Sequence, residues 1–220
     1  MDKEIFVGSA MHEKVQEKHM DFPFELISFN LGPNKIHIQA TIAKELLKMD
    51  EQVITRTFEG ICHAFNGVCL ENHIKCDPID IFILVGNRLK SGTSTKFWDV
   101  VSGGLFAEIL IPANDCRVHE YWKYTFLHEL GHSWFSLEFS PDERECGYED
   151  LFIDLAAMCT FRKILPAHKR IYREVRKHRT YFLTQQSKRF LGKELYKQIL
   201  QDPEAYLGDL WQKINSTRMK

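Results

Sequence analysis

The stretch EYWKYTFLHELGHSWFSL, from Glu120 to Leu137, decides how the rest of the chain is interpreted. Large apolar side chains recur in it every three or four residues, which is the period of one helix face. These side chains are Trp122, Phe126, Leu130, Trp134 and Leu137. Residues 128–132 within the stretch read His-Glu-Leu-Gly-His, an HExxH motif. The sequence therefore predicts a helix over residues 120–137 that carries two histidines one turn apart.

The spacing of this motif has a chemical consequence. Residues i and i+4 lie on the same side of a helix, so His128 and His132 can bind one metal ion together. Glu129 lies one step around the helix, where its carboxylate can act as a general base toward a water at that metal. Two neutral imidazoles and a carboxylate favour zinc. We therefore expect one Zn²⁺ per chain, the alternative being two surface histidines beside a helix-favouring glutamate.

His128, Glu129 and His132 resemble the two histidine ligands and the general base of the zincin metallopeptidases. The resemblance covers the helix over residues 120–137 and the next predicted helix, residues 147–162, which both lie within a span of roughly a fifth of the chain. It implies a zinc-dependent peptidase of the compact intracellular type with a carboxylate as third ligand. By analogy with such enzymes, the substrate would be a peptide or a regulatory protein.

The third ligand of such zincins lies on the following helix, often with a second acid four residues later. Residues 148–157 read YEDLFIDLAA, and Asp150 and Asp154 are the i, i+4 pair of acids that fits. We therefore assign Asp150 as third ligand and Asp154 as the acceptor of a histidine N–H. Glu149, and Asp154 itself, are rival ligands. Aspartate is shorter than the commoner glutamate and requires closely spaced helices, for which small residues such as Ala156 and Ala157 leave room.

The remaining pattern predicts one α+β, zincin-like domain over residues 1–220, with a sheet-containing part (1–115) and a mostly helical part (116–220). The small mixed or antiparallel sheet would pack on the HExxH helix. Its expected elements are a half-buried hairpin at 24–31 and 35–40, a helix at 51–70 and a central strand at Ile79–Val85. Residues 86–103 are rich in glycine, serine and threonine and favour a loop.

We expect the segment Leu105–Ile111 to be a further strand, which closes the sheet and precedes the HExxH helix. Zincins resemble one another in holding an extended peptide against such an edge strand. A substrate could then pair with the backbone of Leu105–Ile111 by strand addition. The alternative is an ordinary interior strand without a free edge.

Charge and cysteine content limit the other classes of function. The 29 basic and 30 acidic residues nearly cancel, which argues against a protein dedicated to nucleic acid. A basic segment over residues 161–190 still leaves nucleic-acid binding open. Six dispersed cysteines, an acidic amino terminus and the lack of a long apolar run indicate a cytoplasmic protein without a membrane segment. A catalytically silent zincin-like module that binds a regulatory protein or nucleic acid is the alternative function.

Overall fold

A computed structural model describes residues 26–31, 34–39, 48, 50–74, 79–86, 93–99, 104–112, 121–135, 148–164, 194, 198 and 202–218. Its strands are β1 (Leu26–Leu31), β2 (Asn34–Gln39), β3 (Asp80–Gly86), β4 (Thr93–Asp99) and β5 (Gly104–Pro112). Its helices are α1 (Glu51–Glu71), α2 (Tyr121–Phe135), α3 (Tyr148–Ile164) and α4 (Pro203–Arg218). The expected α+β class is confirmed. The hairpin and the helices expected over residues 51–70, 120–137 and 147–162 are confirmed as far as the structure describes these spans.

The five described strands form one mixed sheet in the order β1-β2-β3-β5-β4. The β1–β2 and β4–β5 pairs are antiparallel, whereas β3 pairs in parallel with both β2 and β5. The strand expected at Ile79–Val85 is therefore central. The expectation that Leu105–Ile111 closes the sheet is wrong, because β5 lies between β3 and β4.

The missed strand β4 explains that error. Residues 93–99 read TSTKFWD, and the threonines and aromatic residues among them favour strands. Their neighbours, Gly92 and the Gly103-Gly104 pair, favour turns. The sequence pattern therefore predicts a loop over the whole region. In the structure residues 93–99 form a strand that pairs with β5 over its whole length, from Thr93 opposite Leu110 to Asp99 opposite Gly104.

One face of the sheet supplies the core beneath the helices. Phe29, Ile36, Ile81 and Ala107 form one row across four strands, with a parallel row two residues further along. The opposite face also has buried positions. His37 is 3% exposed there and stacks on Phe82, with ring centroids 4.4 Å apart. The predicted half-buried hairpin is thus buried on both faces at β2, because β2 pairs with β3 and is not an outer strand.

The helices are joined to one another by aromatic contacts. On α1, Phe58 packs edge-on against Phe126 and Phe65 stacks on Trp134, which fixes α2 beside α1. Further along, Phe135 of α2 contacts Phe152 of α3 edge-on. Trp211 of α4 stacks on that same Phe152 ring. The position of α3 against α2, which matters for the site below, is therefore set by a buried aromatic cluster.

Candidate metal centre

The two motif histidines face each other on α2. Their Nε2 atoms lie 3.2 Å apart, and the ring planes are nearly perpendicular. His128 is buried at 6% exposure, whereas the side chain of His132 keeps 24% of its surface. The pair is therefore accessible from the His132 side, and the i, i+4 spacing brings both imidazoles to one point.

Asp150 of α3 approaches the same point. Its Oδ1 atom lies 3.2 Å from Nε2 of His132, and its side chain is 50% exposed. One ligand atom from each of His128, His132 and Asp150 falls within 4.8 Å of the others. Among the residues that the structure describes, this is the one group of three or more His, Cys, Asp or Glu side chains that can hold a metal ion.

Two other acids of α3 lie behind the histidines. Asp154 Oδ1 is 2.8 Å from Nδ1 of His128, although that N–H is not aligned as a standard hydrogen bond. Glu149 Oε1 is 3.0 Å from Nδ1 of His132. A carboxylate beside Nδ1 favours the tautomer that carries its proton there and leaves Nε2 as a lone-pair donor. Glu149, a rival third ligand on sequence grounds, thus lies beside the nitrogen that faces away from the convergent group.

A buried tyrosine completes the arrangement behind His128. The hydroxyl of Tyr124 donates a 2.5 Å hydrogen bond to Oδ1 of Asp154. Tyr124 is fully buried and Asp154 is 3% exposed, so water does not compete with this bond. Tyr124 is not among the site residues predicted from the sequence. Its spacing could have indicated it, since Tyr124, His128 and His132 follow one another at i, i+4 and i+8 on one helix face.

The convergent atoms fit a tetrahedral metal. If both Nδ1 atoms carry protons, both Nε2 atoms are acceptors like the carboxylate oxygen, and acceptors this close together favour a cation or a further proton between them. Two ligand atoms that each lie about 2.0–2.1 Å from a tetrahedral zinc are about 3.3 Å apart. The two observed separations of 3.2 Å agree with that value. The residues present therefore fit a zinc ion with two imidazole ligands and one carboxylate ligand.

The charges around the metal-free site also favour a bound cation. Burial by itself lowers the pKa of His132, but hydrogen bonds to Asp150 and Glu149 and the charges of Glu129 and Glu149 outweigh it. Together they raise the pKa of His132 from 6.5 to about 10. The site thus attracts positive charge strongly enough to hold a proton when no metal is bound.

Glu129 is the remaining residue of the motif. It is only 5% exposed, and its charge acts on His132. Glu129 directly follows His128 in the chain, and a carboxylate whose charge reaches His132 is a candidate for a general base. The helix also anchors the edge of the sheet here, because the hydroxyls of Ser133 on α2 and Ser94 on β4 lie 2.8 Å apart.

Several other predictions concern residues that the structure describes only in part. Cys62, Cys69 and Cys159 are buried and not joined by a disulfide, in keeping with reduced cysteines, whereas Cys76, Cys116 and Cys146 lie outside the described residues. Of the basic segment over residues 161–190, positions 165–190 also lie outside them. Within the described part of the chain, the helices are too short or too polar to cross a bilayer.

The chain matches no protein-family model, no curated protein and no solved structure. The case for its function therefore comes from the residues and the geometry given above.

Proposed function

We propose that this chain is a zinc-dependent metallopeptidase that hydrolyses peptide bonds. The observation that carries the proposal is the convergence of His128 Nε2, His132 Nε2 and Asp150 Oδ1. Glu129 of the same motif is buried, and its charge acts on His132. A zinc ion bound there would polarise a carbonyl group and lower the pKa of water to about 7. A site with this chemistry needs no serine or cysteine nucleophile.

The residues around the proposed zinc position each have a separate role. Glu129 takes the proton of the attacking water onto its carboxylate and then passes it to the leaving amine nitrogen. Asp154 and Glu149, beside the Nδ1 atoms of His128 and His132, would orient both imidazoles so that Nε2 is available to a bound zinc. Tyr124 in turn fixes Asp154 by its hydrogen bond. Asp150, half exposed, stands at the open side, from which a substrate can enter.

The proposed substrate is an extended peptide that pairs with β4. Among the described strands β4 stands last in the sheet, beside β5, and we propose that the peptide adds as a strand along its other edge. The contact between Ser94 and Ser133 ties this edge to α2 at the residue next to His132. An edge strand beside the metal ligands can hold a peptide backbone along the reacting centre. The strand that we propose for this task is therefore β4 in place of Leu105–Ile111.

Glu129→Gln tests the proposal. A glutamine keeps the size of the side chain but cannot take a proton. We expect the zinc-loaded wild type to cleave members of a fluorogenic peptide library and Glu129→Gln to be about 100-fold slower or worse, with zinc affinity changed little. Glu59→Gln on α1, distant in sequence from the motif, is the matched control and should keep the wild-type rate.

Two outcomes would count against the proposal. A zinc-loaded wild type that cleaves no peptide, but turns over non-peptide amides, would assign the site to another hydrolase. Equal rates for wild type and Glu129→Gln would show that Glu129 is not the base.

A further inference from the structure

Gly131 of α2 packs tightly against Ile153 of α3. A Cβ atom added to Gly131 would lie 2.7 Å from Cγ2 of Ile153, 3.2 Å from its Cγ1 and 3.3 Å from its Cβ. Carbon atoms do not approach to 2.7 Å without repulsion, so one of the two groups would have to move. Ile153 is fully buried and branched at Cβ, which leaves it few alternative rotamers.

The two residues in this contact are chain neighbours of residues of the candidate metal centre. Gly131 directly precedes His132, and Ile153 directly precedes Asp154. Asp150 and Glu149 lie one helical turn before Ile153. A displacement of α3 at Ile153 therefore moves all three acids relative to the histidines. Among them Asp150 tolerates such a displacement least. Its side chain is short, and its Oδ1 atom must lie directly beside the two Nε2 atoms.

We infer that Gly131 is a positioning residue, whose missing side chain sets the spacing of α2 and α3 at which Asp150 reaches the histidine pair. This inference rests on the proposed zinc site and deepens it. The small residues expected to permit the short ligand were Ala156 and Ala157. The tight contact described here is made by the glycine inside the motif, against a large residue of α3.

The test measures the affinity for zinc alone, by competition with a chromophoric chelator, so it does not depend on catalysis. Gly131→Ala is expected to bind zinc about 10- to 100-fold more weakly, the range typical of residues that orient metal ligands. Ile153→Ala removes both γ carbons that the new methyl group would meet. The Gly131→Ala/Ile153→Ala double variant should therefore recover most of the lost affinity.

A second comparison separates positioning from a general loss of structure. If Gly131 acts through Asp150, then Gly131→Ala should cost little more in a chain that already carries Asp150→Ala. A simple folding defect would lower the affinity by the same factor in both backgrounds. The matched control is Gly67→Ala on α1, where an added Cβ meets nothing within 4 Å. This variant should bind zinc like the wild type.

The possible outcomes distinguish the inference about Gly131 from the proposed peptidase activity. Wild-type affinity in Gly131→Ala, or the same loss with and without Asp150, overturns the inference and leaves the proposed peptidase untouched. A wild type that binds zinc but cleaves no peptide overturns the proposed activity, whereas the affinities still test Gly131. A wild type that binds no zinc overturns both.

Discussion

Nδ1 of His128 lies 2.8 Å from Oδ1 of Asp154, and the same carboxylate oxygen accepts a 2.5 Å hydrogen bond from the hydroxyl of Tyr124. All three side chains are buried. The carboxylate thus accepts a hydrogen bond from a tyrosine on one side and lies against the imidazole of a histidine on the other. This line of contacts connects the interior between α2 and α3 with the proposed zinc ligands.

Tyr124→Phe removes the hydroxyl and leaves Asp154 with one partner fewer in a dry environment. We expect zinc affinity to fall about tenfold, since partners that orient metal ligands typically contribute 10- to 100-fold. The loss of a hydrogen bond to a charged group should also lower the free energy of unfolding by about 1.5–3 kcal/mol. Tyr206→Phe, at a half-buried tyrosine on α4, is the control. Unchanged zinc affinity in Tyr124→Phe would show that the tyrosine supports the fold alone.

The two neighbouring acids Glu149 and Asp150 should differ in their effect on zinc binding. Asp150→Ala removes a proposed ligand, so its affinity should fall more than about 100-fold, beyond the range expected for a residue behind a ligand. Glu149→Ala removes a carboxylate that faces Nδ1 of His132, and its loss should stay within about 10- to 100-fold. Competition titrations of both variants give this comparison. The reverse order would make Glu149 the third ligand.

Zinc binding should release a proton from His132. In the metal-free protein its pKa is raised to about 10, so at pH 7 to 9 the ring is protonated and the metal must displace that proton. Apparent affinity should therefore rise about tenfold per pH unit in this interval. Calorimetry in buffers of different ionisation enthalpy measures the released proton directly. His63→Gln, at an exposed histidine of α1, should leave the slope unchanged.

The same shift affects the stability of the metal-free protein. A pKa raised on folding stabilises the folded state fully below the unfolded value of 6.5 and loses that contribution as pH rises through about 10. Denaturant titrations should thus show the metal-free wild type losing stability between these limits. His132→Gln should lose less over the same interval. Parallel curves for the two proteins would contradict the assignment of this titration to His132.

Buried thiols should resist alkylation in the folded protein. Cys62 and Cys69 of α1 are fully buried, and Cys159 of α3 is nearly so. Burial, aided by the charge of Glu59, raises the pKa of the Cys62 thiol, which suppresses the reactive thiolate. Peptide mapping after iodoacetamide at pH 8 should find Cys62 unmodified in the native protein and modified in guanidinium chloride. Rapid native labelling of Cys62 would show that α1 opens readily.

The sequence was informative where a single element determines the outcome. The spacing of His128 and His132 requires only one helix, so the convergence of their rings follows from helical geometry. The spacing of Asp150 and Asp154 likewise places both acids on one face of α3. The choice between Asp150 and Glu149 depends on how α3 is rotated against α2. The packing of Ile153 and Phe152 contributes to that rotation, and local spacing does not encode it.

The two misjudged features of the sheet have the same origin. Whether Leu105–Ile111 is an edge or an interior strand depends on whether residues 93–99 pair with it, which is a contact between two segments. The burial of His37 likewise depends on the pairing of β2 with β3 on one side. Gly131 has no side chain to mark its role in the sequence. Its importance is visible only from the distance to Ile153 on another helix.

Zinc content per chain is the most direct test of the central claim. Wild type, His128→Ala and the control His63→Ala are dialysed against the same low concentration of Zn²⁺, and bound metal is determined by elemental mass spectrometry. We predict one zinc per chain for wild type and His63→Ala, and a loss of nearly all of it in His128→Ala. Wild-type protein without zinc, or with zinc that persists in His128→Ala, would contradict the proposed metal centre.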